Sequence, residues 1–177
     1  MLKRPRAHCL HMLLKALPVL ALAACGGPKL VNVTGEGSKG MNRDAQGKPL
    51  SVVVHIYQLR NADAFNRMTM DSLLSGKPEA DLLGNSLISS KELTLIPGGK
   101  LAEQETIGEE TRYVGVVGFF RQADPAYWRL LYAAEAVKSD GLNFKAADCY
   151  LQPVRTKNTA IPGQPAQIPS ICHAQQR

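Results

Sequence analysis

The chain has 177 residues, 45% of them hydrophobic and 20% charged, with 21 Lys and Arg against 15 Asp and Glu. Four of those cations, Lys3, Arg4, Arg6 and Lys15, lie in the leader, and setting them aside leaves 17 against 15. The basic balance is therefore largely a property of the leader and implies no nucleic-acid partner, and the rest is about the size of one domain.

The leader pairs this basic n-region with a short apolar run from Ala16 to Ala24. That run falls well short of the ~20 residues a transmembrane helix needs. Starting at Met12 would leave a more conventional leader. The run ends in Leu22-Ala23-Ala24-Cys25-Gly26-Gly27, small residues followed by a cysteine, which resembles the bacterial lipobox. On this reading residues 1–24 are a lipoprotein signal peptide, Cys25 is an acylated N-terminus and 25–29 is a lipidated tether. Each buried methylene of the attached chains is worth about 0.8 kcal/mol, so several chains anchor almost permanently. The alternative is a secretory leader whose cysteine is incidental. Gly26 stands where an aspartate would signal inner-membrane retention. By analogy with bacterial lipoproteins, this favours the outer membrane with the domain facing the periplasm.

Cys9 lies in the leader and Cys25 in the lipobox, which leaves Cys149 and Cys172. In an oxidising compartment these two are expected to pair. Two free buried thiols are one alternative. A metal site with His173 is another, but it lacks a fourth ligand and any Cys-x-x-Cys spacing.

The region 30–177 reads as a single domain. Leu30 to Val33 is a first strand, and Glu36 to Pro49 a long polar loop of the kind that often carries function. Leu50 to Leu59 is the strongest strand, with Val52, Val54 and Ile56 on one face and Val53, His55 and Tyr57 on the other. His55 reads as a structural histidine, because no partner acid or nucleophile is evident. Residues 61–84 form a helical insertion. Asp63 caps a first turn, Thr69 to Ser75 is stopped by Gly76, and Pro78 to Leu83 ends before Gly84. Phe65, Met68, Met70, Leu73, Leu82 and Leu83 would pack it onto the sheet.

Ser86 to Ile96 reads as a strand ending at the turn Pro97-Gly98-Gly99. Leu101 to Ile107 follows, and its Glu103 and Glu105, with Glu109 and Glu110, read as a solvated edge and turn rather than an acid-base site. Arg112 to Phe120 is another apolar strand. Leu130 to Val137 and Leu142 to Tyr150 flank Ser139-Asp140-Gly141, where Asp-Gly predicts a hairpin. From Pro153 the chain is proline-punctuated. Short strands with turn signals and one helical insertion predict a mainly β fold, an antiparallel β-sandwich. Its core is expected from Val52, Val54, Ile56, Leu93, Leu95, Val114, Val116, Phe120, Leu131 and Phe144.

Gly35-Glu36-Gly37-Ser38-Lys39-Gly40 satisfies G-x-G-x-x-G, but MNRDAQGKP follows it without helical periodicity, so a nucleotide site is not expected. No nucleophile elbow, zinc-protease helix or calcium loop occurs. Only His55 and His173 lie beyond the leader. No catalytic residue, cofactor site or metal site is expected.

Taken together, the lipobox at Cys25, the stretch MNRDAQGKPLSVVVHIYQLRNADAF, LTLIPGG and RYVGVVGFFRQADPAYWR resemble the TssJ family. These are outer-membrane lipoproteins of the type VI secretion system. The resemblance covers most of the chain beyond the leader. It implies a transthyretin-like sandwich with a helical addition and no catalysis. It also implies tethering of the periplasmic end of the inner-membrane subunit TssM, in support of the TssJ-TssL-TssM complex. In the family a protruding loop between the first two strands contacts TssM, and here that loop corresponds to 36–49. Lys39, Arg43 and Lys48 would then pair with acidic groups and Met41 would offer an apolar anchor, while Asn42 and Asp44 shape the turn. The bland alternative is that these cations keep a loop solvated. A generic periplasmic module binding a small ligand or another envelope protein is the rival function.

Overall fold

β2 (Val52–Leu59) carries Val52, Val53, Val54 and Ile56 and is buried on both faces, which sets the layering of the whole molecule. The computed structural model describes residues 27–168 and residue 172. The signal-peptide, Cys25 and His173 expectations lie outside the described residues. One sheet has the order β4-β1-β7-β8, from β1 (Lys29–Gly37), β4 (Lys100–Ile107), β7 (Leu142–Ala147) and β8 (Tyr150–Pro153). The other has the order β3-β2-β5-β6, with β3 (Leu87–Leu95), β5 (Tyr113–Phe119) and β6 (Arg129–Ala133). All pairs are antiparallel except β1 with β7, which run parallel with Val33 opposite Leu142.

The main core lies between the sheets. Val31 and Val33 from β1 meet Val52, Val54 and Ile56 from β2, with Leu93, Leu95, Val114, Val116, Phe120 and Phe144 around them. Leu131 departs from expectation. Its neighbours Leu130 and Tyr132 face this core, so the strand's period of two turns Leu131 outward. There it joins a second cluster on the outer face, with Tyr57, Leu59, Phe65, Met68, Leu83 and Trp128.

The helical insertion covers that outer face with α1 (Asp63–Arg67), α2 (Met70–Leu74) and α3 (Glu79–Leu83). Asp63 is the first residue of α1 rather than its cap, and Ala62 holds the cap position without a side-chain bond. Thr69 and Ser72 cap α2 reciprocally, each side chain accepting from the other's amide at 3.1 Å. Gly84 closes α3 at φ 52. The Phe65 ring reaches the sheet because Gly115 lies beneath it, where a Cβ would come within 2.5 Å of the ring.

The Asp-Gly hairpin expected at 139–141 is not formed. β6 ends at Ala133, and Ala134–Asp140 is a helix, α4, that carries the chain from one sheet to the other. Ala134, Ala136 and Lys138 favour helix, and Gly141 at φ 76 closes it by donating to Val137 O at 2.9 Å. The hairpin that forms instead joins β7 to β8, with Ala147 opposite Tyr150 across Asp148 and Cys149. Pro97-Gly98-Gly99 also turns between sheets, so β3 and β4 border the same open edge. Lys91 spans it to Glu103 at 2.7 Å and Glu105 at 3.0 Å, which accounts for those carboxylates and holds the lysine's pKa above its ordinary value.

Candidate functional site

β1 extends to Gly37, four residues beyond the expected strand, so the connection to β2 is 38–51. Its first turn packs tightly. Gly37 donates to Gly99 O at 2.9 Å, Ser38 to Ala146 O at 2.8 Å and Met41 to Ser38 O at 3.3 Å. A Cβ at Gly37 would lie 2.3 Å from Ile96 O and 2.9 Å from the Met41 sulfur. Glycine is thus needed for Met41 to fold back. Met41 is fully buried in the main core. It therefore offers no apolar anchor to a partner; the flexible thioether fills space between the sheets instead.

Asn42 holds the loop's base at φ 51, a left-handed conformation that asparagine tolerates better than most residues. Its backbone amide donates to Asp148 O. Its side-chain amide donates to Ser51 O at 2.6 Å, and its Oδ1 accepts from the Arg121 amide at 2.7 Å. One buried residue thus ties the β1–β2 loop to the 120–128 loop and to the β7–β8 turn.

Beyond Asn42 the loop folds on itself. Asp44 Oδ1 accepts from the amides of Gln46 at 2.9 Å and Lys48 at 2.8 Å, and Gly47 turns the chain at φ 79. Arg43 Nη1 donates to Gly47 O at 3.0 Å. Lys39, Arg43 and Lys48 are exposed, while Asp44 is half-buried. The six residues expected at this site divide into a buried pair, Met41 and Asn42, and four that reach solvent. A polar hollow of about 330 Å³ lies beneath the tip, lined by Asn42, Arg43, Asp44, Gln122, Asp148 and Cys149 among others. Cys149 and Cys172 are joined by a disulfide at its edge, with a Cα separation of 5.9 Å. The contributions of Arg121, Gln122 and Asp148 carry no sequence signal, because the loops meet only in the fold.

His55 has partners that the sequence did not reveal. Glu79 from α3 meets its Nδ1, and Glu92 from β3 its Nε2 at 3.1 Å. Tyr57 donates its hydroxyl to the same Glu79 oxygen. Burial, then the hydrogen bond to Glu79, push the Tyr57 pKa well above the ordinary range. Arg129 is buried in α1's C-terminal turn, donating to the carbonyls of Phe65, Asn66 and Met68 and lying 4.6 Å over the Trp128 ring. Burial lowers its pKa to about 10, so it remains charged at neutral pH. Among the described residues no group of three His, Cys, Asp or Glu is placed to hold a metal ion. No helix among them is long and apolar enough to cross a membrane.

A β-sandwich that braces the base of one polar loop and leaves its tip in solvent has the form of a scaffold for presenting a loop. The family model T6SS-SciN, described as "Type VI secretion lipoprotein, VasD, EvfM, TssJ", matches residues 29–149, and the chain belongs to this family of type VI secretion lipoproteins. Among solved structures it is similar to a chain of one titled "Type VI membrane complex", with 26% identity, 71% of this chain and 98% of that chain covered, and TM-score 0.64. A chain of "T6SS protein TssM C-terminal domain (869-1107) from EAEC" matches at 24% identity, covering 72% of this chain and 99% of that chain, with TM-score 0.63. The T6SS lipoprotein TssJ1 from Pseudomonas aeruginosa matches at 22% identity, covering 76% of this chain and 99% of that chain, with TM-score 0.61. The last two likenesses are ones of fold. No curated protein matches the sequence.

Proposed function

We propose that this protein is a lipoprotein anchored in the outer membrane through Cys25, after removal of residues 1–24, and that it faces the periplasm. There it binds the periplasmic C-terminal region of a TssM-type inner-membrane protein and supports assembly of the TssJ-TssL-TssM complex. It catalyses no reaction. Family membership and the similarity to chains from structures named for the TssM C-terminal domain and the type VI membrane complex support the choice of partner. The observation that carries the reading is the braced loop with an exposed tip. Its base is fixed by Met41 and Asn42, and Arg43 and Lys48 stand in solvent. This tip lies at the end of β1 opposite the tether. Across the nine residues of the strand, a rise of about 3.3 Å per step puts roughly 26 Å between Lys29 and Gly37.

Calorimetry of residues 29–177 against the periplasmic C-terminal domain of a TssM-type protein from the same organism tests this proposal. Replacing 43–48 by a short glycine-containing turn should leave the melting temperature near that of the native domain and remove binding. Unchanged binding would move the contact elsewhere. Changing Cys25 to Ser should release the protein from the membrane fraction. The polar hollow beneath the tip favours one rival, a module for a small ligand. A ligand-dependent rise in melting temperature without any TssM binding would establish it.

A further inference from the structure

The arrangement around His55 demands more protons than a neutral histidine carries. A neutral imidazole has one donor nitrogen and one acceptor nitrogen, while an ionised carboxylate only accepts. Both nitrogens of His55 face carboxylate oxygens, Nδ1 that of Glu79 and Nε2 that of Glu92. The Glu79 oxygen also takes the Tyr57 hydroxyl, which stays a donor because burial and that carboxylate oppose its ionisation. Satisfying both contacts at once requires the imidazolium.

The groups facing His55 come from every element packed around it. β2 supplies Tyr57, β3 the mostly exposed Glu92, α3 the three-quarters-buried Glu79, and β5 only the uncharged Phe119 ring at 4.7 Å. The helix that carries Glu79 is weakly held by its own chemistry. It has five residues, and Pro78 at its cap position makes no side-chain cap bond. Its last residue, Leu83, is buried in the second cluster.

We propose that His55, Glu79 and Glu92 form a proton-dependent clamp that fastens α3 of the helical insertion to β2 and the edge strand β3. With His55 protonated, both ring nitrogens donate and the three elements are joined. When the proton is lost, one nitrogen becomes an acceptor. Its neighbouring carboxylate, Glu92 being the freer, must turn away to water, and the Glu79 contact loses its charge assistance. The clamp is complete while the imidazole carries both protons and loosens as rising pH removes one of them. The insertion over the outer face of the sandwich therefore tightens as the surrounding compartment acidifies.

Amide exchange on residues 29–177, followed by NMR and expressed as protection factors, tests this between pH 5.5 and 8.0. The amides of Leu82 and Leu83 should lose about fivefold in protection across that range, the difference expected between charge-assisted and neutral hydrogen bonds. In His55→Gln the same amides should show no pH dependence. Because that side chain is largely buried, Glu79→Gln serves as a second variant: it keeps the side chain's size on α3 but removes the charge that pairs with the imidazolium, and it should flatten most of the response. A flat profile in the native protein would overturn the proposal. So would an undiminished pH dependence in a folded Glu79→Gln or a folded His55→Gln.

Discussion

Met41 and Asn42, at the base of the β1–β2 loop, are almost out of contact with water, whereas Arg43 to Lys48, next in sequence, stand mostly in it. The base belongs to the sandwich: one side chain fills the core and the other bonds to Ser51 and Arg121. The tip belongs to itself, folded around Asp44. The difference teaches that stability and recognition are separable within a dozen residues, so that one loop can be rigid where it starts and still present side chains to a partner.

Substitutions can break this division or sharpen it. The largest effect should come from Met41→Ala, which removes a fully buried side chain and should cost about 2–5 kcal/mol in denaturant unfolding. Changing both Cys149 and Cys172 to Ser opens a loop with a sequence separation of 23 residues and should cost about 3 kcal/mol, read as a lower melting temperature. Asn42→Ala should cost about 1–3 kcal/mol, since it loses two side-chain bonds and places alanine at positive φ. Asn42→Gly should recover part of that loss, because only the bonds are then missing. The smallest effect on stability, within about 0.5 kcal/mol, is expected for Arg43→Ala with Lys48→Ala. That pair should nonetheless weaken TssM binding in calorimetry. Stability loss at the tip, or unchanged folding after Met41→Ala, would erase the distinction between the two halves.

Much of this architecture could be read from the sequence, and the rest could not, for identifiable reasons. β2 announces itself by its β-branched run, and α2 and α3 by Thr69, Pro78 and Gly84, because these signals act over a few residues. The Asp140-Gly141 pair misleads because left-handed glycine serves a hairpin and a helix end equally well. The choice was made by Ala134–Asp140 upstream and by β6 and β7 belonging to different sheets. Met41 in a polar stretch read as exposed, since nothing local shows that Gly37 leaves it room to turn inward. Glu79 and Glu92 lie 24 and 37 residues from His55, and the Asn42 bond to Arg121 spans 79. Contacts of that range are products of the fold and leave no periodicity to detect. The likeness to a known family located the loop, but the packing alone divided it.

The position of β1 has a mechanical consequence. The chain enters this strand directly from residues 27–28 and leaves it into the β1–β2 loop, and the strand is flanked on both sides, by β4 over Lys29–Glu36 and by β7 over Val33–Gly37. A pull between a lipid at one end and a bound partner at the other would run along the strand axis. The two ladders would be loaded in shear, their hydrogen bonds sharing the force, rather than being peeled open one at a time. Survival under such a load is set by the unfolding barrier and not by equilibrium stability. With the anchor and the partner contact proposed above, the central strand and the β1–β2 loop would form one tensile member through the domain.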